Sequence, residues 1–388
     1  MSSKKYNLTL FLGIYNGEKY IDSLLEQIQS QELQNFYILV VDNNSSDQSG
    51  KMFGRWKKIY KDNFQFIKNQ VNYGGHGSLF QNMARITTPW FCTLHQDDFY
   101  KPNHTRTINE LITASKKNTV GVSTTMGSMS NNGKILNSKP RVTWFSPNLD
   151  EPGQFLQNVK AQSVPYPATA FNLGVFKNTI VPFHSPTFSD TEQTLRMLGY
   201  GRFIVSQKET MFYRENPVSE SHIINLKERT IGAAIGLSRV FNSHEFGLIL
   251  NKVTEDKRSV FASQLIEAIS HRIADSELLV TTQTISIETM ITKWGYGDKN
   301  LSFLLGKNYT NISSPQTVNL INNLSGNKRS IEQAKTNNKS QTFASKIWDA
   351  YFHLNIFKSR GFNKFIIKSI YRIIFIIKPN HRIKNKWN

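Results

Sequence analysis

Four short apolar runs alternate with segments of helical period along the first hundred residues, and this alternation constrains the fold more than any other feature. The apolar runs are residues 8–14, 36–41, 64–67 and 89–94. The helical segments between them are residues 20–31, residues 53–59 and the stretch that ends at Ala84. Short apolar runs bounded by turn residues are typical of buried strands. The alternation predicts an α/β fold with a doubly wound, mostly parallel central sheet.

Polar residues and glycines follow each predicted strand. The four groups are Tyr15-Asn16-Gly17-Glu18, Asp42 to Asp47, Asn72 to Gly77, and His95 to Asp98. Ligands of open α/β sheets bind at the carboxyl ends of the strands. We therefore expect one ligand to contact side chains from all four groups.

Two adjacent carboxylates, Asp97 and Asp98, end the fourth apolar run. They suit either a solvated turn after a strand or a hard divalent cation that carries phosphate oxygens. The glycine-rich stretch after Asn72 also has two explanations, a tight turn or a backbone that passes close to a phosphate or sugar. It lacks the Gly-Lys-Ser/Thr ending of a phosphate-binding loop, and it follows the third strand rather than the first.

The net charge of the chain limits the chemical class of its partner. The 388 residues suggest two or three units, and the net charge of +19 with a pI of about 9.8 predicts a polyanionic partner. Nucleic acid, anionic lipid and a phosphorylated substrate all meet that description.

Cys92 is the single cysteine, so no intrachain disulfide forms. We expect a first strand rather than a signal peptide at the N-terminus, and no membrane-spanning helix.

The order of the motifs resembles that of the family 2 glycosyltransferases, which have the GT-A fold. The matching residues are Tyr15-Asn16 with Ile21, the turn Asp42 to Asp47, the set Asn72, Gly74 and Asn82, and the segment His95 to Asp98. Later matches are Asp190 and Glu192 ahead of Arg196, and the pair Tyr213-Arg214. The resemblance covers residues 7–220. His95 and Asn216 depart from the family pattern, which has Asp and His at these positions.

The resemblance implies an inverting transferase that uses a nucleoside-diphosphate sugar and a divalent cation, Mn²⁺ or Mg²⁺. The donor-binding residues that it implies are Tyr15, Asn16, Glu18, Asp42, Asn72, Gly74, Asn82, His95 and Gln96. Asp97 and Asp98 would hold the cation, and Asp190 would be the catalytic base.

Local structure is the alternative explanation for three of these acids. Asp42 also suits an Asx turn, and Glu18 also suits a solvated acid at a helix start. Asp190 also suits the N-cap of a helix over residues 191–198. For Arg196 we expect pairing with a carboxylate at the surface rather than phosphate binding.

The residues after about 225 predict helices over 231–246 and 260–279 and a loop-rich stretch over 300–341. The second helix has an apolar stripe that indicates a core position, formed by Phe261, Leu265, Ile266, Ile269 and Ile273. Residues 347–377 are apolar and aromatic but carry Lys364, Lys368 and Arg372 on one helical face. This pattern suits a helix in an anionic membrane surface, with a docking helix or an oligomer contact as the alternatives.

We therefore predict a GT-A catalytic domain at 1–225, a helical accessory region at 226–340 and a basic amphipathic segment at 341–388. The expected function is transfer of a sugar to a glycan or lipid-linked acceptor during bacterial surface polysaccharide assembly, in the cytoplasm at the inner face of the membrane. The alternatives are a catalytically weakened scaffold that binds a glycan or nucleotide sugar, and a basic nucleic-acid-binding protein. We do not expect nucleic acid as the partner, because the first 220 residues carry no recognisable module for it.

Overall fold

The computed structural model describes residues 6–137, 149–180, 188–217, 225–273 and 275–294. These residues all belong to the first of the two units into which the chain divides, residues 1–326. The predicted loop-rich stretch and the basic amphipathic segment lie outside the described residues.

The strands form one mixed sheet. They are β1 (Leu8–Ile14), β2 (Tyr37–Asp42), β3 (Phe64–Lys68), β4 (Trp90–Leu94), β5 (Phe99–Tyr100), β6 (Thr119–Ser130), β7 (Ile135–Asn137), β8 (Thr169–Asn172) and β9 (Arg202–Glu215). In the described part of the chain their order is β3-β2-β1-β4-β8-β6-β9-β5, and β7 pairs with β6.

The four predicted strands are parallel neighbours in the order β3-β2-β1-β4. Strand β8 then pairs antiparallel with both β4 and β6, and β9 runs parallel to β6. Ile14 lies opposite Asp42, and Leu12 lies opposite Leu94. The carboxyl ends of β1, β2 and β4 therefore meet at one edge, as the sequence predicts.

The helices are α1 (Glu18–Gln29), α2 (Ser49–Tyr60), α3 (Gly74–Asn82), α4 (His104–Thr113), α5 (Glu151–Lys160), α6 (Leu173–Asn178), α7 (Ser189–Tyr200), α8 (Leu226–Phe241), α9 (His244–Lys252), α10 (Arg258–Arg272) and α11 (Ser276–Trp294). Helices α1 and α2 thus begin before the predicted starts at residues 20 and 53.

The sheet is buried on both faces. In β1, the side chain of Phe11 enters one core, while Leu10 and Leu12 enter the other, as expected for a strand whose side chains alternate. Helices α1 and α2 cover the second core with side chains such as Leu24 and Trp56. The first core continues from the sheet through α5 and α7 into α8–α11. The helices after residue 225 therefore share a core with the sheet.

The two long helices predicted after residue 225 are wrong in their extent. Helix α8 ends at Phe241, and Ser243 begins α9 by accepting a hydrogen bond from the Phe246 N–H at 3.3 Å. Asp275 begins α11 in the same way by accepting from the Leu278 N–H at 3.0 Å. Capping side chains of this kind mark helix starts that apolar periodicity alone does not show.

The apolar stripe predicted on the second of these helices is confirmed, because all five of its residues are buried. No helix of the described residues combines the length and the apolar character needed to cross a bilayer.

Candidate active site

Gln96 joins the ends of β1 and β4. Its Nε2 donates to the carbonyl oxygen of Tyr15 at 3.1 Å, and its Oε1 accepts from the Tyr15 N–H at 3.1 Å. Asn16 adopts a left-handed φ of 46°, and its Oδ1 accepts from the Ser46 N–H at 3.0 Å. Three predicted donor-binding residues therefore cross-link the loops at this edge, while Tyr15 stays 45% exposed.

Asp42 and Glu18 form hydrogen bonds within the protein. The Asp42 side chain is fully buried, and its Oδ1 accepts from the Ser45 N–H at 2.9 Å. Glu18 Oε2 accepts from the Gln48 N–H at 3.1 Å, and the Glu18 N–H donates to Asp47 Oδ2 at 3.0 Å. Asp42 thus closes a turn, and Glu18 ties the start of α1 to the start of α2.

Asparagine side chains build the glycine-rich turn. Asn72 Oδ1 accepts from Asn43 Nδ2 at 2.6 Å and from the Gly74 N–H at 2.8 Å. Gly74 has a φ of 73°, a backbone conformation that favours glycine. The buried Asn82 donates to Asn69 Oδ1 at 3.2 Å. The tight-turn explanation therefore holds for this stretch, and Asn82 lies beneath it.

The carboxylate of Asp98 is buried at the end of β4. Its Oδ1 accepts from the Arg214 N–H at 2.9 Å, and its Oδ2 lies 3.5 Å from His95 Nδ1 without a hydrogen-bond partner among the described residues. Burial raises the pKa of Asp98 to about 6, the charge of Asp97 adds to this, and His95 and Arg214 oppose it. The site thus holds a buried carboxylate oxygen that has a histidine nearby but no hydrogen-bond partner among the described residues.

Arg214 connects the distant strand β9 to this turn. Its Nε donates to the carbonyl oxygen of Asp97 at 2.6 Å, and its Nη1 donates to the carbonyl oxygen of Asn131 at 2.9 Å. The Tyr213-Arg214 motif therefore lies against the paired carboxylates. These contacts cannot be read from the sequence.

His95, Asp97 and Asp98 offer too few donor atoms to bind Mg²⁺ or Mn²⁺ alone, so a bound substrate would have to supply further oxygen atoms. In the described residues, no group of three or more His, Cys, Asp and Glu side chains is arranged to hold a metal ion. Both cations accept one or two carboxylates and complete their shell with phosphate oxygens and water. The unpartnered Asp98 Oδ2 fits that donor set.

Asp190 lies in the first turn of α7 and is not its N-cap. The helix begins at Ser189 after Phe188, and no side chain caps it, so the alternative explanation of Asp190 as the cap of a helix over 191–198 is wrong. Asp190 is half-buried, and its Oδ2 accepts from Gln162 Nε2 at 2.7 Å. Gln162 was not identified from the sequence, and no motif marks it.

His76 of the glycine-rich turn interacts electrostatically with Asp190 and with His95. Burial lowers the pKa of His76, the charge of Asp190 opposes this, and the charge of His95 adds to it. The His76 ring packs against Tyr166 with ring centres 5.2 Å apart.

Arg196 belongs to a partly buried ion-pair network rather than to the surface. Its Nη2 lies 3.0 Å from Glu192 Oε1, and its Nη1 lies 3.2 Å from Glu245 Oε2. Glu192 is fully buried and also binds Arg239 of α8. The expected pairing of Arg196 with a carboxylate is therefore confirmed, but its expected surface position is wrong, since the network joins α7 to α8 and α9 in the interior.

The family comparison identifies the fold. Residues 9–179 match the model described as glycosyl transferase family 2. This part of the chain is a family 2 glycosyltransferase domain. Its fold is GT-A, with the mixed sheet and helical C-terminal region described above. Asp190 and Arg214 lie beyond the matched residues.

The curated relatives align over short segments. The chain is 35% identical over 91 residues to a teichoic acid poly(glycerol phosphate) polymerase of Staphylococcus epidermidis, which is 24% of this chain and 13% of the relative. It is 27% identical over 106 residues to the glycosyltransferase GlyG of Streptococcus pneumoniae, which is 27% of this chain and 35% of the relative. The chain thus spans about a third or less of the length of these relatives.

Two solved structures are similar at low identity. TarS residues 1–349 of S. aureus with UDP-GlcNAc has 14% identity and a TM-score of 0.48, over 74% of this chain and 90% of that one. The mannosyltransferase PcManGT of Pyrobaculum calidifontis with GDP-Man and Mn²⁺ has 11% identity and a TM-score of 0.47, over 83% and 85%. At these scores the similarity indicates neither substrate nor mechanism for this chain.

Proposed function

We propose that the protein is an inverting, metal-dependent glycosyltransferase of the hexosyltransferase type. It moves a sugar from a nucleoside-diphosphate donor to a hydroxyl of a glycan or lipid-linked acceptor. The setting is assembly of a bacterial surface polysaccharide, which is in keeping with the polymerase named among the relatives.

The observation that carries the proposal is the Asp97–Asp98 turn at the carboxyl end of β4, in a family 2 domain. Asp98 Oδ2 is buried without a hydrogen-bond partner among the described residues. Such an atom is costly to leave unpaired, so a ligand that supplies positive charge fits there.

The chain's own residues have separate roles in the reaction. Asp97 would bind the cation directly, while Asp98 would be the second ligand or would orient the turn. A cation held by these residues would supply positive charge against the negative charge that develops on the β-phosphate of the leaving group. His95 donates to a ribose hydroxyl or serves as a nitrogen ligand.

Asp190 is the proposed base. The attacking hydroxyl must lose its proton, and a carboxylate within hydrogen-bond reach on the opposite face of the sugar can accept it. Asp190 suits this role because it is half-buried and accepts a hydrogen bond from Gln162. It also interacts electrostatically with His76, which in turn interacts with His95.

Release of nucleoside diphosphate from a panel of nucleotide sugars tests the function, with Mn²⁺, Mg²⁺ or EDTA present. We expect slow turnover of one donor that stops with EDTA and in Asp97→Ala. The shift of melting temperature with each donor is measured in parallel. A scaffold would show the shift without turnover. A chain that shows neither would contradict the proposal and favour the nucleic-acid alternative.

A further inference from the structure

Asp190 is held by residues outside its own helix. Gln162 belongs to the segment that follows α5, and its Nε2 donates to Asp190 Oδ2 at 2.7 Å. The neighbouring Ser163 N–H donates to Asn158 Oδ1 at 2.9 Å, and Asn158 Nδ2 donates to Thr194 Oγ1 at 2.8 Å. Asn158 is fully buried. The segment that carries Gln162 is thus fixed to both α5 and α7.

Arg272, the last residue of α10, secures the same region from the other side. Its Nε and Nη2 donate to the carbonyl oxygens of Val159 and Asn158 at 3.0 and 2.9 Å. Its guanidinium lies 5.4 Å from the ring centre of Phe188, the residue before α7. Arg272 therefore bridges the end of α5 and the start of α7.

The charges of Arg272 and Asp190 interact electrostatically. Burial lowers the pKa of Arg272 to about 10, and the Asp190 carboxylate opposes that decrease. Phe188 is buried against α8, where a Cβ in place of the Gly236 hydrogen would collide with the Phe188 ring. The first turn of α7 is consequently enclosed by α5, α8 and α10.

We propose that Gln162 and Arg272 are positioning residues for Asp190. Gln162 fixes the direction of the carboxylate through its hydrogen bond. Arg272 fixes the first turn of α7 on the end of α5 through its contacts with Val159, Asn158 and Phe188. The inference rests on the proposed role of Asp190 as base. It also makes the helical region after residue 225 a part of the acceptor side of the site.

The test is donor hydrolysis with the nucleotide sugar that the wild-type chain turns over, since water then takes the place of the acceptor. Gln162→Met and Arg272→Met are compared with the matched controls Gln81→Met and Arg55→Met, whose side chains are exposed. We expect kcat to fall about 10- to 100-fold in the first pair, as for a reacting group displaced by about 1 Å. The KM for the donor and the donor-induced melting shift should stay unchanged.

Two further measurements separate positioning from general destabilisation. Arg272→Lys keeps the charge and should recover part of kcat. In an Asp190→Asn background, Gln162→Met should have no further effect on the residual rate, because groups that act as a unit are not additive. A rate loss that persists in that background, or that comes with a changed donor KM, overturns the inference.

The two proposals fail in different ways. A wild-type chain that turns over no donor overturns the proposed function and this inference with it. If Asp190→Asn keeps the wild-type rate, the assignment of the base is wrong. If Asp190→Asn loses the rate while Gln162→Met and Arg272→Met keep it, the positioning inference alone is overturned.

Discussion

Asp98 and Arg214 are 116 positions apart in the chain, yet a 2.9 Å hydrogen bond joins them. The Arg214 guanidinium also binds the carbonyl oxygen of Asp97. The proposed cation site therefore depends on a residue of β9, far along the chain from β4. Groups that orient metal ligands typically contribute 10- to 100-fold to metal affinity.

Arg214→Met should weaken Mn²⁺ binding by roughly 10-fold or more, because the Asp97–Asp98 turn loses its anchor. Calorimetric titration of Mn²⁺ in the presence of the product nucleoside diphosphate measures this. Arg55→Met is the control, since Arg55 is exposed and pairs with Asp22 at the surface. Equal Mn²⁺ affinity in the Arg214 variant would mean that the Asp97–Asp98 turn keeps its shape without the contacts of Arg214.

Asp190→Asn should lower the rate of sugar transfer by roughly 100- to 10,000-fold, the usual contribution of a general base. The amide keeps the shape of the side chain but accepts no proton. Donor binding, measured by the melting shift, should be unaffected because the donor-side loops are untouched. A comparable loss of donor binding would place Asp190 on the donor side instead.

At the level of elements, α4 begins with a buried histidine. His104 Nδ1 lies 2.7 Å from Thr210 Oγ1 of β9, and the ring packs against Tyr100. Burial lowers the pKa of His104 to about 4. The unfolded chain therefore binds a proton at higher pH than the native protein does.

His104 should make the protein less stable in acid. The stability that it contributes is complete above its ordinary pKa of about 6.5, and it is lost as pH falls through the window down to about 4. The linked free energy is about 3 kcal/mol over that window. Urea unfolding between pH 7 and pH 4 should show a shallower pH slope in His104→Gln. His271→Gln, at a half-exposed position, is measured in parallel as the control.

The ion pairs of α7 give a second prediction at this level. Glu192→Gln removes the buried charge that faces both Arg196 and Arg239, so Arg196 keeps only Glu245 and Arg239 loses its carboxylate partner. We expect the free energy of unfolding to fall by about 3–5 kcal/mol. Glu267→Gln, which affects a half-exposed pair with Lys160, should change it by less than about 1 kcal/mol. Similar values for the two variants would show that the network is not a buried pair in solution.

Local patterns predicted the first half of the sheet better than the second. The runs that became β1–β4 are continuous apolar stretches, because these strands are covered on both faces. Strand β9 mixes Arg202, Lys208 and Glu209 with apolar residues, so its sequence does not mark it as a strand. Its place in the sheet is decided by pairing with β6, which is a non-local contact.

The residues of the candidate site also differ in how readily the sequence reveals them. Asp97, Asp98 and Asp190 stand out in the sequence as acids at motif positions. Gln162 and Arg272 do not, because an amide in a loop and an arginine at a helix end occur everywhere on protein surfaces. Only the folded chain brings these two residues to Asp190.

On the scale of the whole molecule, the positive charge is concentrated after Gln341. Beyond it, Asp349 is the only acid, whereas basic residues recur through to Lys386. This segment lies outside the described residues, so its membrane role is a proposal from sequence. A helix with Lys364, Lys368 and Arg372 on one face would meet anionic headgroups with that face.

Replacing Lys364, Lys368 and Arg372 by Glu should weaken binding to vesicles of phosphatidylcholine and phosphatidylglycerol in equal parts. Each basic residue near such a surface contributes about 1 kcal/mol, so we expect a loss of roughly 100-fold or more. The control replaces the exposed Lys51, Lys57 and Lys58 of α2 by Glu, which gives the full chain the same net charge. Cosedimentation measures both variants. Equal losses would show that overall charge attracts the protein to the vesicles, whereas a loss confined to the C-terminal variant assigns the membrane contact to that helix.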